Sequence, residues 1–203
     1  ATEPAIDHSM TPEEIAAAIH AAGGIAVLAH PAWSLNDPSR VANETFFDAT
    51  EIYNTVSGGH SSFRPDSGAF CDLLACRGVT FPLLATDDAH YYDGTDATRS
   101  FICAHAPDGD IISAIKRGDF YASQGPEVHL QRDGDRFYVD CTPAEKVTFV
   151  TNTVWCRGRV VRGHGIEHAE YTVSTEEGRR DRFIRAEVTD AEGKRAWSNF
   201  III

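Results

Sequence analysis

The sequence predicts two parts: an α/β segment over residues 1–125 and an antiparallel β-sandwich domain over residues 126–203. Three observations carry this expectation. Up to Gly125, helix-spaced apolar stripes alternate with short apolar runs, the pattern of βα units around a parallel sheet. After Gly125-Pro126, short runs with period-two alternation follow one another between turn residues, with no helix pattern among them. The charge divides at the same place, with 17 acidic and 6 basic side chains before it and 13 and 12 after it.

Each element has a local reason. Thr11-Pro12-Glu13-Glu14 opens a helix: Thr11 is the N-cap, Pro12 takes the first helical position, and Glu14 closes a capping box. Ile15, Ile19 and Ala22 form its apolar stripe and Gly23-Gly24 ends it. Ile25–Ala29 is uninterrupted and apolar, as a strand buried on both faces should be. A second unit runs from a helix over Val41–Asp48 into a strand over Thr50–Tyr53, and a third from a helix around Phe70, Leu73 and Leu74 into a strand over Val79–Ala85. A fourth has a strand at Ser100–Ala104 and a helix that turns Ile111, Ile112 and Ile115 inward and stops at Gly118. Strands of the sandwich are expected at Val128–Leu130, Arg136–Cys141, Lys146–Thr151, Ala169–Ser174, Phe183–Thr189 and Ala196–Ile203.

Composition narrows the class. At about 150 residues per domain, 203 residues make one to two domains. An apolar share of 42% with 24% charged residues excludes a disordered chain. No run reaches the roughly 18–20 apolar residues of a membrane helix. A net charge of −12 argues against nucleic acid or an anionic membrane as partner. The 5 cysteines have neither a disulfide framework nor C-x-x-C spacing, and read as small apolar side chains in a reducing, cytoplasmic setting. The chain opens on Ala1-Thr2-Glu3-Pro4 without Met, and is read as processed or as a piece of something longer.

Function is expected where parallel sheets place it, at the carboxyl ends of the strands. The first strand ends at His30; the second carries Glu51 and ends at Tyr53-Asn54; the third ends at Asp87-Asp88-Ala89-His90. Asp88 and His90, two apart in a strand-to-loop bend, can share one ion, and His30 from the neighbouring strand can add a third ligand. His164-Gly-Ile-Glu-His168 fits a zinc-protease string, but Gly163 and Gly165 deny it the helix that chemistry needs, so it reads as a polar loop. Trp155 and Trp197 read as core.

At these residues the sequence resembles the PHP family, the phosphoesterase domain shared by histidinol phosphatases and some bacterial DNA polymerases. The matching segments are Gly23 through His30-Pro31, Glu51-Ile-Tyr-Asn54, Ala85 through His90, and Arg117–Ser123 with Gly125-Pro126. The resemblance implies the later βα units of a distorted PHP-type (β/α)7 barrel over residues 1–125. It also implies His30, Asp88 and His90 as metal ligands, with Glu51 and Asn54 behind them. The family's opening His-x-His motif is missing from the chain. That departure, with an open sheet edge, predicts a homodimer or a missing N-terminal segment.

The expectation is therefore a metal-dependent phosphoesterase acting on a small phosphorylated substrate. Mn, Fe or Zn would sit on His30, Asp88 and His90, Asp87 and Glu51 would orient ligands or accept protons, and His60, Arg64 and Asn54 would face the phosphate. The alternative is a non-catalytic scaffold or binding module whose sandwich binds a partner or a carbohydrate.

Overall fold

The computed structural model describes residues 6–59, 62–91 and 94–203. The chain begins as the α/β pattern requires. Helix α1 (Pro12–Ala21) has the expected capping box, with Thr11 and Glu14 each accepting from the other's backbone N–H. Strand β1 (Val27–Leu28), helix α2 (Pro38–Val41), strand β2 (Ala49–Asn54), helix α3 (Gly68–Cys76) and strand β3 (Leu83–Thr86) follow. The three strands form a parallel sheet in the order β1-β2-β3, with Val27 opposite Ala49 and Thr50 opposite Leu83. Asp48 ties α1 to the start of β1: its carboxylate accepts from the Ala26 N–H at 2.7 Å and meets the His20 ring at 2.6 Å. Burial acts to raise the Asp48 carboxyl, but these two partners outweigh it and hold the group below the ordinary carboxylate value.

Beyond β3 the architecture departs from a barrel. Strand β4 (Phe101–Ala104) does not join the parallel sheet. Helix α4 (Ile111–Arg117) returns the chain through Gly118, whose φ of +74° makes a left-handed cap, into β5 (Phe120–Ser123). That strand pairs antiparallel with β4, Ile102 lying opposite Ala122. The chain then continues through β6 (Val128–Asp133), β7 (Arg136–Thr151), β8 (Val160–Thr172), β9 (Phe183–Thr189), β10 (Arg195–Trp197) and β11 (Ile201–Ile202). These eight strands make one sheet in the order β4-β5-β10-β9-β7-β6, with β8 on β7 and β11 on β9.

Two expectations are thereby corrected. The protein is strand-rich, with 35% of residues in strands against 17% in helices, and it is not a helix-rich (β/α)7 barrel. The short run Phe120–Ser123 is the physical cause, since it gives β4 an antiparallel partner from the chain segment just beyond α4. Nor do residues 126–203 form two stacked sheets; they complete a single curled antiparallel sheet. Lys146–Thr151 and Arg136–Cys141, expected as separate strands, are one strand bent by register shifts around Pro143, which cannot donate to a ladder. Smaller differences follow the same logic. The helix expected over Val41–Asp48 is replaced by a single turn that ends at Val41, capped by Asp37 with Pro38 at its first position. Ile111 and Ile112 are exposed, while Ala114 and Ile115 turn inward. His164 and His168 lie within β8, not in a loop.

The two sheets share a core. Trp197 at the end of β10 is 0% exposed and packs among Leu28, Ile52, Phe70, Leu74 and Leu83 of the parallel part. Its ring stacks on Tyr53 at 5.5 Å. Arg185 of β9 grips Asp72 of α3 with two hydrogen bonds, of 2.8 and 2.9 Å. Asn199 accepts from the Leu83 N–H at 2.7 Å and donates to the carbonyls of Gly118 and Phe120. All 5 cysteines are free thiols, with Cys71 buried and the others partly exposed. Among the described residues no helix is long and apolar enough to cross a membrane.

Candidate functional site

The rim of the parallel sheet gathers side chains from all three strands, and Glu51 is the knot that joins them. It is buried at the middle of β2, where its carboxylate accepts from the His30 N–H at 2.7 Å, from Asn54 Nδ2 at 2.9 Å and from Thr86 Oγ1 at 2.6 Å. Those donors come from the loop after β1, from β2 itself and from β3. Three satisfied hydrogen bonds are what make a buried carboxylate tolerable. Asn54, equally buried, also reaches Asp88 Oδ2 at 3.3 Å and accepts from the Ser57 N–H at 3.0 Å.

Two residues held on this rim have unusual backbones. His30 has φ +32° and Asp88 φ +50°, left-handed conformations that cost a non-glycine residue about 1–2 kcal/mol each. The turns place the two side chains against each other, with His30 Nε2 at 3.9 Å from Asp88 Oδ2. His90 stands by the other oxygen, its Nδ1 at 3.8 Å from Asp88 Oδ1. The outer nitrogens are already committed. His30 Nδ1 pairs with Ser34 Oγ at 2.8 Å, and His90 Nδ1 contacts the Asp88 carbonyl. The first leaves Nε2 facing Asp88; the second leaves Nε2 for chemistry.

His30, Asp88 and His90 line a cavity of about 270 Å³, together with Trp33, Tyr91 and the hydroxyls of Ser57 and Ser62. A larger hollow of about 700 Å³ lies against β5 and β6, among side chains such as Tyr121, Val128 and Leu130, and includes none of the rim residues.

The other expected site residues stand elsewhere. Asp87 accepts from the N–H groups of Ser100 and Arg99, at 2.8 and 3.0 Å, and from Thr55 Oγ1 at 3.1 Å. It therefore fastens the approach to β4 onto the end of β2 and does not line the cavity. Arg64 is exposed, with its guanidinium 4.5 Å from the centre of the Phe63 ring, and is not among the cavity residues. His60 lies outside the described residues. Trp33, Tyr91, Ser57 and Ser62 are cavity residues that sequence reasoning missed. The signal for the first two was proximity: Trp33 is three residues after His30, and Tyr91 follows His90.

The donor set fits a divalent cation as one pair but not as a trio. Two donors on one ion stand roughly 3–4 Å apart when each bond is near 2.1 Å, and His30 Nε2 stands so from Asp88 Oδ2, whereas His90 Nδ1 is held by the Asp88 carbonyl. Yet among the described residues no group of three His, Cys, Asp or Glu side chains is placed to hold one ion. Among the described residues His90 Nδ1 contacts the Asp88 carbonyl, so its ring is not turned with His30 Nε2 toward a common point. Comparison of the chain with family models, with curated proteins and with solved structures finds no match.

Proposed function

We propose that this chain is a phosphoesterase-type hydrolase domain whose reaction is centred on Asp88 between His30 and His90. The observation that carries the reading is the pair of left-handed backbones at His30 and Asp88, which aim a ring nitrogen and a carboxylate at one cavity. Strain of that kind persists where surrounding contacts enforce it, and it gathers at functional sites. The motifs shared in sequence with PHP phosphoesterases fall on the same residues.

His30 Nε2 and Asp88 would hold the divalent cation, Mn, Fe or Zn, with oxygens of water or substrate as its remaining ligands. What such a cation supplies is a bound water of near-neutral pKa and polarised phosphoryl oxygens. Glu51 holds the His30 backbone, and Asn54 orients Asp88. His90 can deliver a proton from Nε2 to the leaving oxygen, its ring set by the contact of Nδ1 with the Asp88 carbonyl. Ser57 and Ser62 offer hydroxyls to a phosphate.

A second reading, a non-catalytic binding module, is favoured by the missing third donor among the described residues. One pair of measurements separates the two. Metal content and aryl-phosphate hydrolysis are assayed with added Mn and Zn for wild type, Asp88→Ala and His90→Ala. The hydrolase reading expects bound metal that falls in Asp88→Ala, and turnover that both substitutions abolish. Equal metal and equal turnover in all three proteins would overturn it.

A further inference from the structure

The cavity around Asp88 has a second chemical character that phosphate chemistry does not use. Trp33 is 46% exposed and Tyr91 is 53% exposed, and both line it. They arrive from loops after β1 and β3, the two outer strands of the parallel sheet, so the sheet brings one aromatic to the site from each side. Trp33 is fixed in place: its ring meets His30 edge-on at 5.0 Å, and its Nε1–H donates to Ser62 Oγ at 3.1 Å. Tyr91 stands beside His90, ring centres 6.4 Å apart. Val56 adds an aliphatic wall. The loop after β2 carries Phe63, 74% exposed, and the Trp33 loop also carries Leu35, 71% exposed. Each of the three rim loops thus shows water a large apolar side chain. A single exposed aromatic needs no explanation, but two lining one polar cavity, Trp33 and Tyr91, mark a surface shaped for a ligand.

We propose that the site selects esters whose leaving group is a planar, apolar ring, held by Trp33 and Tyr91 while the anionic head lies at His30, Asp88 and His90. This specificity rests on the hydrolase reading above. Size agrees with it. A cavity of about 150 Å³ encloses benzene, so about 270 Å³ has room for one ring and a tetrahedral head. The Nε1–H edge of the Trp33 ring is already spent on Ser62 Oγ.

Non-hydrolysable phosphonates test this without turnover. Isothermal titration with added Mn compares phenylphosphonate with methylphosphonate on wild type, Trp33→Ala, Trp33→Phe, Asp88→Ala, and Trp155→Ala as a distant exposed-tryptophan control. Wild type and Trp155→Ala should bind phenylphosphonate at least tenfold tighter than methylphosphonate. Trp33→Ala should shrink that ratio to within about threefold with methylphosphonate unchanged, and Trp33→Phe should restore most of it. Equal affinity of wild type for the two ligands, or a Trp33→Ala loss shared equally by both, overturns the aromatic subsite and leaves the hydrolase reading standing. Absence of binding of either ligand, or binding that Asp88→Ala leaves intact, overturns both. Urea denaturation of each variant checks that Trp33→Ala remains folded.

Discussion

The parallel strands β1–β3 bury polar side chains alongside apolar ones, whereas the antiparallel strands β4–β11 bury mainly apolar ones. In β2, Thr50, Glu51 and Asn54 are as buried as Ile52, and Ser57 and Ser67 are buried in the turns beyond. In β9, by contrast, Phe183, Ile184, Ala186 and Val188 are buried, and Arg185 is the one buried charge. The parallel sheet is short, with strands of 2, 6 and 4 residues, whereas β7 alone runs for 16 residues and pairs with β6, β8 and β9. Buried polar groups stabilise little even when every bond is made, and long apolar ladders stabilise much. The lesson is a division of labour: the antiparallel sheet supplies the stability that lets the parallel rim keep strained, polar turns at His30 and Asp88.

The strongest way to break that comparison is to remove the link between the two parts. Trp197→Ala deletes a fully buried ring, and should cost about 3–5 kcal/mol. Urea denaturation followed by near-ultraviolet and far-ultraviolet signals should give one coincident transition; two separate transitions would show that the parts are independent. Asp72→Ala should cost about 3 kcal/mol, because it leaves the Arg185 guanidinium buried without its two bonds. The double change Asp72→Leu with Arg185→Met should recover most of the loss, and failure to recover would assign the effect to α3 packing instead.

Glu51→Gln sharpens the comparison from the other side. It replaces one of the two accepting oxygens with an NH₂, facing either Thr86 Oγ1 or the His30 and Asn54 N–H groups, and should cost about 1–3 kcal/mol while loosening the His30 turn. Ligand affinity at the rim should fall by more than stability does. Thr11→Ala removes half of the capping box and should cost about 1 kcal/mol, read as a shift in the urea midpoint.

The smallest effect is a difference in pH response. Glu145 beside His164, and Asp140 followed by Glu170 beside His168, raise both histidines above their ordinary value of 6.5. A raised pKa means stabilisation complete below about pH 6.5 and lost as pH climbs through the folded value. Asp48 is lowered from 3.8, so its contribution holds at neutral pH and is lost only on acidification. Amide exchange should therefore show β8 losing protection between pH 6 and 8 while β1 does not, with β1 weakening below pH 4. The same response in both strands would mean that the pairs flanking the β7 irregularity contribute nothing to β8.

How much of this was legible in the sequence depended on range. Helix α1 was readable because Thr11, Pro12 and Glu14 act within one turn. The ends of β1, β2 and β3 were readable too, and with them the placing of His30, Glu51, Asp88 and His90 on one rim. Asp87 and Asp88 could not be told apart by type; only the turn geometry sends one toward Ser100 and the other toward His30. The partner of β4 was not legible, because it depends on Phe120–Ser123 and, through that strand, on Ala196 and Trp197 some seventy residues away. The stretch between Arg136–Cys141 and Lys146–Thr151 read as a gap between two strands and is a bend within one. Exposure is a property of the fold, so neither Trp33 and Tyr91 at the cavity nor Trp155, exposed instead of buried in a core, could be placed beforehand.

Trp197 also sets an order of events during synthesis. The core beneath the rim stays open until Trp197 emerges from the ribosome. Up to that moment Leu28, Ile52, Phe70 and Leu83 lack the ring that covers them. The parallel strands are translated well before the ring that covers them, and contacts of such long range are slow to form. A nascent chain stalled before residue 197 should present the rim loops to chaperones and proteases.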